Sequence, residues 1–206
     1  MNKILFKLNE RKSLCLISST LPIEQVYLCY DLKMYWVDNN DMDLIGQDSA
    51  GELIEQFERV LYAALDQKLI LDKSIRKNLG YYWNEIFADR ESFVDLVYDL
   101  NVFGSPVGWV GSKYLVWSTQ APSYPLISTW MYNDMNGNIV LEVSEMFAWS
   151  KEEDVDQNNK YAVFLKNYKP LFKEIISQRI AQQWLHQVQE LYAVFYKNEQ
   201  KCRILF

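Results

Sequence analysis

The most restrictive feature of this sequence is an alternation from position 26 to position 37, in which one set of side chains is wholly apolar or aromatic and the other includes Asp31 and Lys33. Every second residue of this segment is apolar or aromatic: Val26, Leu28, Tyr30, Leu32, Met34 and Trp36. Because successive side chains of a strand point to opposite faces, a period of two over this length predicts a long β-strand with one buried face. The chain must therefore build a sheet that has a core on one side.

A second pattern, at helical spacing, follows after the turn-rich residues 37–49. Ser49 stands three residues before Glu52, a spacing typical of a capping box at the start of a helix. The positions that follow form one apolar stripe at helical spacing: Leu53, Ile54, Phe57, Val60, Leu61, Ala64 and Leu65. We therefore predict an amphipathic helix over residues 49–67.

The other elements follow from shorter patterns. Strands are predicted at residues 3–8, 13–18, 114–118, 126–133 and 139–146, and helices at residues 72–80 and 89–100. After a polar linker at residues 151–159, two helical stretches close the chain; Pro170 kinks the first of them or begins a new helix. The last helix is expected to bury Trp184 and to expose His186.

Hairpin-linked strands without regular alternation of strand and helix favour an antiparallel sheet with segregated helices. We therefore predict a single α+β domain over residues 1–206. Its antiparallel-rich sheet would have five or six strands, with helices packed on one side. Half of the residues are hydrophobic and 15% are aromatic, which suits a packed core and excludes intrinsic disorder.

The sequence carries no targeting or membrane signal. No stretch approaches the roughly 20 apolar residues of a membrane helix, and the first residues lack the apolar core of a secretory signal. We expect a soluble cytoplasmic protein with no membrane partner.

Catalytic and cofactor motifs are also missing from the sequence. The three cysteines are far apart, the only histidine is His186, and no glycine-rich phosphate loop is present. We therefore predict no metal site, no cofactor and no nucleophilic catalytic residue. A pair of carboxylates remains open, because spacing along the chain does not give spacing in space. Glu142 and Glu145 are poor partners, since a regular strand points them to opposite faces.

Charge is unevenly distributed along the chain. The formal net charge is −6, and the acidic excess lies entirely within residues 1–100. It is densest between residues 31 and 58, where Lys33 is the single base and eight residues carry carboxylates: Asp31, Asp38, Asp41, Asp43, Asp48, Glu52, Glu55 and Glu58. Such a field repels nucleic acid and attracts a basic protein. The alternative is a solvated face that only keeps the protein soluble. We predict that a partner binds at Asp38, Asp41, Asp43, Asp48, Glu52 and Glu55.

Aromatic residues cluster along the second half of the sequence. The cluster consists of Trp109, Trp117, Trp130, Tyr132 and Trp149. Such residues can form a sugar-stacking platform or an interface hot spot, but they more often form core contacts and cross-strand pairs. We interpret them as core.

A resemblance to a known family covers about one third of the chain, within residues 128–191. It rests on the segments STWMYNDMNGNIVLEVSEMFAW, KNYKPLFKEII and QRIAQQWLHQVQEL. Together they resemble the small acidic immunity proteins of bacterial polymorphic and contact-dependent growth inhibition toxin systems. The resemblance implies a cytosolic protein that binds and neutralises one toxin, often a basic nuclease, by occluding its site. It carries no binding residues over, because such contacts vary within the family.

Three hypotheses for the function follow. The first is an immunity protein for a cognate, basic toxin domain. The second is an enzyme that uses a carboxylate pair, which requires two carboxylates converging in a deep pocket. The third is an adaptor for another protein, which requires a large exposed apolar patch without charge bias.

Overall fold

Two antiparallel sheets of four strands each form the frame of the protein. The computed structural model describes residues 2–73, 75, 78–86, 112–119, 126–148 and 156–204. Sheet A consists of β1 (Lys3–Lys7), β2 (Lys12–Ser18), β3 (Asp31–Asp38) and β4 (Asp41–Ser49), paired in that order. Sheet B consists of β5 (Leu115–Ser118), β6 (Leu126–Asn133), β7 (Ile139–Met146) and β8 (Phe172–Ile176), again in chain order.

The described helices are α1 (Ala50–Leu65), α2 (Leu79–Ile86), α3 (Gln157–Lys166) and α4 (Gln178–Ile204). Short 3-10 turns occupy Ile23–Gln25 and Ser112–Tyr114. The α+β class and the antiparallel pairing agree with the sequence prediction. One sheet of five or six strands is not confirmed, because the described strands divide into two sheets. Helices α1 and α2 also pack on opposite faces of sheet B.

Two strands occupy segments where none was predicted. Strand β4 lies in the turn-rich segment, because the short turn at Asn39 and Asn40 reverses the chain and pairs Asp38 with Asp41. Strand β8 follows Pro170, where a helix was expected. Its residues alternate between half-buried and exposed positions until Ile176, which is buried, and this is the period of a strand. Pairing with β7 decides the conformation there.

Two other predictions differ from the structure. Strand β3 begins at Asp31, because residues 27–30 form a turn whose carbonyl groups accept the backbone N–H groups of Ala50 and Gly51 at the start of α1. The helix predicted at residues 72–80 is wrong, since residues 72, 73, 75 and 78 are not helical and α2 begins at Leu79, passing through the Gly80 that was expected to end a helix. The helix predicted at residues 89–100 lies outside the described residues.

Helix α1 begins as the capping pattern predicts. The Ser49 hydroxyl accepts the backbone N–H of Glu52 at 3.3 Å. The second half of the box is replaced, since the Ser49 N–H donates to the Asp48 carboxylate at 2.7 Å. The apolar stripe of α1 is buried as predicted, apart from a partly buried Leu65.

Aromatic rings from four elements meet in one core. Phe57 of α1 contacts Phe6 of β1, Trp117 of β5 and Trp184 of α4, with ring centroids 4.7 to 6.0 Å apart. Trp117 also packs so closely on Gly46 of β4 that a Cβ there would lie 2.6 Å from the Trp117 Cβ. Such contacts fix the two sheets and both long helices against each other.

The facing of the last helix is confirmed. Trp184 has no exposed area, and its indole N–H donates to the Lys7 carbonyl at 3.0 Å. The His186 side chain is 74% exposed and lies 3.3 Å from Glu190.

Candidate functional site

The turn end of the β3–β4 hairpin carries three of the six carboxylates predicted to bind a partner. Its turn is held by Asn39, whose φ of 56° lies in a left-handed region that asparagine tolerates. The Asn39 N–H donates to the Arg11 carbonyl at 2.9 Å, which ties the hairpin to the β1–β2 turn. The acidic tip is therefore a fixed part of sheet A.

The three hairpin carboxylates differ in their partners. Asp38 lies 3.8 Å from the Lys12 ammonium, which also hydrogen-bonds Glu174 of β8. The Glu174 hydrogen bond is the main reason why the pKa of Lys12 is raised. Within the described part of the chain, Asp41 and Asp43 are exposed and form no side-chain hydrogen bond or ion pair. Their charges are free to act on another molecule.

Asp48 and Glu52 line a cavity of about 240 Å³ between β4, α1 and β5. The amides of Gln47 and Gln56 and the side chains of Leu53 and Trp117 also line it. The two carboxylates therefore share a small amphipathic cavity beside the core of the protein.

Arg59 lies at the same cavity but is bound by neutral groups. Its guanidinium donates to the Gln56 side chain at 2.8 and 3.0 Å and to the Leu115 carbonyl at 3.3 Å. Burial lowers the pKa of Arg59. Arg59 therefore forms no ion pair with Asp48 or Glu52, and the described contact of the Asp48 carboxylate is the neutral Ser49 N–H.

Glu55, the sixth predicted residue, does not line this cavity. It hydrogen-bonds the Tyr192 hydroxyl of α4, and that bond is the main cause of the raised pKa of Tyr192. The structure thus divides the six residues into the hairpin group, the cavity pair and a helix–helix contact. We keep the first two groups as the candidate site and call them the acidic surface: Asp38, Asp41, Asp43, Asp48 and Glu52.

The sequence interpretation did not predict that Glu142, the most buried carboxylate among the described residues, would be enclosed in the core. Glu142 of β7 has no exposed area. One of its oxygens accepts the Gly80 N–H at 3.1 Å and the Ser144 hydroxyl at 3.2 Å. The other accepts the Tyr132 hydroxyl at 3.0 Å and lies 3.1 Å from the Lys173 ammonium. An acidic residue within an otherwise apolar strand, IVLEV, was the sequence signal for this cluster.

The Glu142 cluster has the geometry of a structural contact. Four donors fill the lone pairs of the carboxylate, and Glu142 does not line the cavity beside Trp117. Burial, and next the charge of Glu142, raise the pKa of Tyr132. Glu142 and Glu145 lie three residues apart on a regular strand and so face opposite sides, as predicted. This buried carboxylate therefore attaches α2 to sheet B.

The aromatic cluster is core wherever it is described. Trp117, Trp130 and Tyr132 are all buried; Trp109 and Trp149 lie outside the described residues. Among the residues that the structure describes, no group of three His, Cys, Asp or Glu side chains is placed to hold a metal ion.

Comparison with protein-family models, with curated proteins and with solved structures gives no match. The function must therefore be argued from the site itself. In the described part of the chain, no helix combines the length and the apolar character needed to cross a membrane.

Proposed function

We propose that this chain is an immunity-type protein of the cytoplasm that binds and neutralises a basic toxin domain through the acidic surface. The observation that carries the proposal is the contrast within that surface. Asp41 and Asp43 are exposed without described partners, while Asp48 and Glu52 open into a cavity next to Trp117. The first pair suits long-range attraction, and the second suits a fixed contact.

The hairpin carboxylates would act before contact is made. Unpaired surface charges raise the rate at which an oppositely charged protein arrives, and their effect fades over about 8 Å at physiological salt. A rigid hairpin presents these charges in one position, so that no loop has to be ordered on binding.

The cavity would act once contact is made. A volume of about 240 Å³ is enough for one long side chain of the partner. Leu53 and Trp117 offer contact to the methylene groups of a lysine or arginine, and Asp48 and Glu52 offer acceptors to its charged end. The resemblance to toxin immunity proteins supports a toxin as the source of that basic side chain.

The test uses the protein encoded beside this gene as the partner. We expect Asp48→Asn with Glu52→Gln to speed dissociation of the complex by about tenfold or more, and to reduce protection of cells that express the toxin. The matched control is Asp66→Asn with Glu190→Gln, which removes the same charge at two exposed positions away from the acidic surface. Equal effects of both double variants, or a neighbouring gene that encodes no toxin domain, would contradict the proposal.

One observation favours the enzyme alternative, because Asp48 and Glu52 share a cavity. A carboxylate-pair enzyme requires both groups for turnover, whereas a binding cavity tolerates the loss of one with weaker affinity. The enzyme alternative would be favoured if each single variant, Asp48→Asn and Glu52→Gln, abolished catalytic turnover while cells stayed protected against the toxin. Nothing in the acidic surface favours the adaptor alternative.

A further inference from the structure

The outer face of sheet A lies open on the side away from α1 and α4. Alternate residues of β1 and β2 point to this face, where Lys3 pairs with Ile17 and Leu5 with Cys15. Leu5 is 38% exposed, and Met42 at the hairpin end of the same face is 47% exposed. A groove of about 420 Å³ runs over these residues. We call it the basic groove.

The groove has an apolar floor. Leu5, Ile17, Val37 and Met42 line it together with the Cys15 thiol. Burial raises the pKa of Cys15, so that the thiol behaves as a small apolar group at the floor. In an antiparallel sheet with one solvated face, the solvated side chains are normally polar. The outer face of sheet A departs from that pattern.

Basic residues dominate the edge of the groove. Lys3, Lys7 and Arg11 line it, and within the described residues none of the three side chains forms an ion pair. The one carboxylate that lines the groove is Glu10, while the fourth base, Lys12, is bound to Glu174. A positive edge on a protein of net charge −6 is a local feature that the overall composition does not predict.

Protection of an edge strand explains only part of this arrangement. Lysines on β1 discourage pairing with other strands, and this accounts for Lys3 and Lys7. It accounts neither for Arg11, which lies in the β1–β2 turn, nor for the apolar floor between the bases. An apolar floor with a charged rim is the usual anatomy of an interface.

We propose that the basic groove binds an acidic, partly apolar segment of a second protein. Charge decides between the possible occupants. In a two-fold dimer of this chain the same patch would meet itself, so that Lys3, Lys7 and Arg11 would face like charges. A nucleic acid would bring a dense row of phosphates to a protein of net charge −6 and no apolar side chains for the floor. An acidic peptide needs only a few carboxylates to meet the basic edge, and its apolar side chains would cover the floor.

This proposal does not rest on the proposed function, because the acidic surface would bind a basic protein and the basic groove would bind an acidic one. The test begins with selection from a displayed library of random peptides on the wild-type protein. The variant is Lys3→Glu with Lys7→Glu. The matched control is Lys197→Glu with Lys201→Glu on the exposed side of α4, about 20 Å or more along the helix from Trp184.

We expect the selected peptides to be rich in Asp, Glu and apolar residues. They should bind the wild type and the α4 control equally well, and bind the groove variant about tenfold or more weakly. Titration of one such peptide should shift backbone amide NMR signals of β1 and β2. The proposal is overturned if no such peptides emerge, or if their signals shift elsewhere. It is also overturned if the wild type dimerises and the groove variant does not.

Discussion

Asp41 and Glu142 have nearly the same side-chain chemistry and opposite surroundings. Asp41 is exposed and makes no described contact, whereas Glu142 is fully buried and receives four donors. A buried charge must be compensated by hydrogen bonds and an opposite charge, and an exposed one need not be. The number of hydrogen-bond donors around a carboxylate therefore indicates its role. A carboxylate with many donors stabilises the fold, and one with none is available to a partner.

The strongest test of this contrast is removal of the buried carboxylate. Glu142→Ala should lower the free energy of unfolding by about 3–5 kcal/mol, because it leaves Lys173, Tyr132 and the Gly80 N–H without their acceptor. Chemical denaturation measures the change. Glu145→Ala, on the opposite face of the same strand, is the matched control and should cost less than about 1 kcal/mol. Similar losses for both variants would mean that the cluster does not hold the fold.

The second test asks how tightly the Glu142 cluster holds α2. A Cβ at Gly80 would overlap Ser144 and the Tyr168 hydroxyl. Gly80→Ala should therefore destabilise the protein by about 1–3 kcal/mol, although alanine itself favours a helix over glycine by about 1 kcal/mol.

Gly51 is the matched control, because it is also the second residue of its helix and its Cβ would lie 3.3 Å from the Leu28 carbonyl oxygen. We expect Gly51→Ala to change stability by a smaller amount in thermal or chemical denaturation. Stabilisation by Gly80→Ala would show that α2 is loosely attached, and the structural reading of Glu142 would then be wrong.

The third test uses pH. Because the pKa of Tyr132 is raised in the folded protein, its neutral form stabilises the fold fully below the unfolded pKa of about 10. That contribution is lost as the pH rises above 10, at up to about 1.4 kcal/mol per pH unit. Tyr132→Phe should cost about 1 kcal/mol near neutral pH and should make the alkaline loss of stability less steep. Some slope should remain, since burial also raises the pKa values of Tyr161, to about 12, and of Tyr168.

The measurement is the free energy of unfolding from about pH 8 to pH 11, a range that includes the pKa of about 10 of an unfolded tyrosine. Tyr62→Phe is the control, because Tyr62 is 57% exposed. An unchanged alkaline slope in Tyr132→Phe would mean that its buried position does not hold Tyr132 in the neutral form.

The sequence predicted those parts of the fold in which one pattern dominates. The α1 stripe, the hairpin between β6 and β7 and the facing of Trp184 all follow from local periodicity. Strand β4 was missed because DMDLIGQDS lacks a clean alternation, and a bulge between its partners Met34 and Tyr35 shifts the register. Strand β8 was missed because pairing with β7 outweighs the helical interpretation of its residues.

The candidate site was predicted only in part, for a related reason. Charge density along the chain identified the acidic segment but could not separate Asp48 from Glu55, which lie on β4 and α1 and have different neighbours. Glu142 and the basic groove depend on residues brought together from distant strands and turns. Lys173 reaches Glu142 across the β7–β8 pair, and Arg11 joins Lys3 and Lys7 through the β1–β2 turn. Such groupings arise from register, which no single segment contains.

The smallest expected change in stability, and the most specific for function, belongs to the exposed pair. Asp41→Asn with Asp43→Asn should alter the free energy of unfolding by no more than about 0.5 kcal/mol, since neither side chain has a described partner. Association with the basic toxin should slow by about threefold to tenfold at low salt and become equal to the wild-type rate at high salt, because screening removes the steering term. Stopped-flow association at two salt concentrations measures both effects, with Asp66→Asn and Glu190→Gln as the matched control. An association rate that does not change at low salt would mean that the hairpin carboxylates only form a solvated face and do not attract the partner. The cavity at Asp48 and Glu52 would then carry the proposed interface alone.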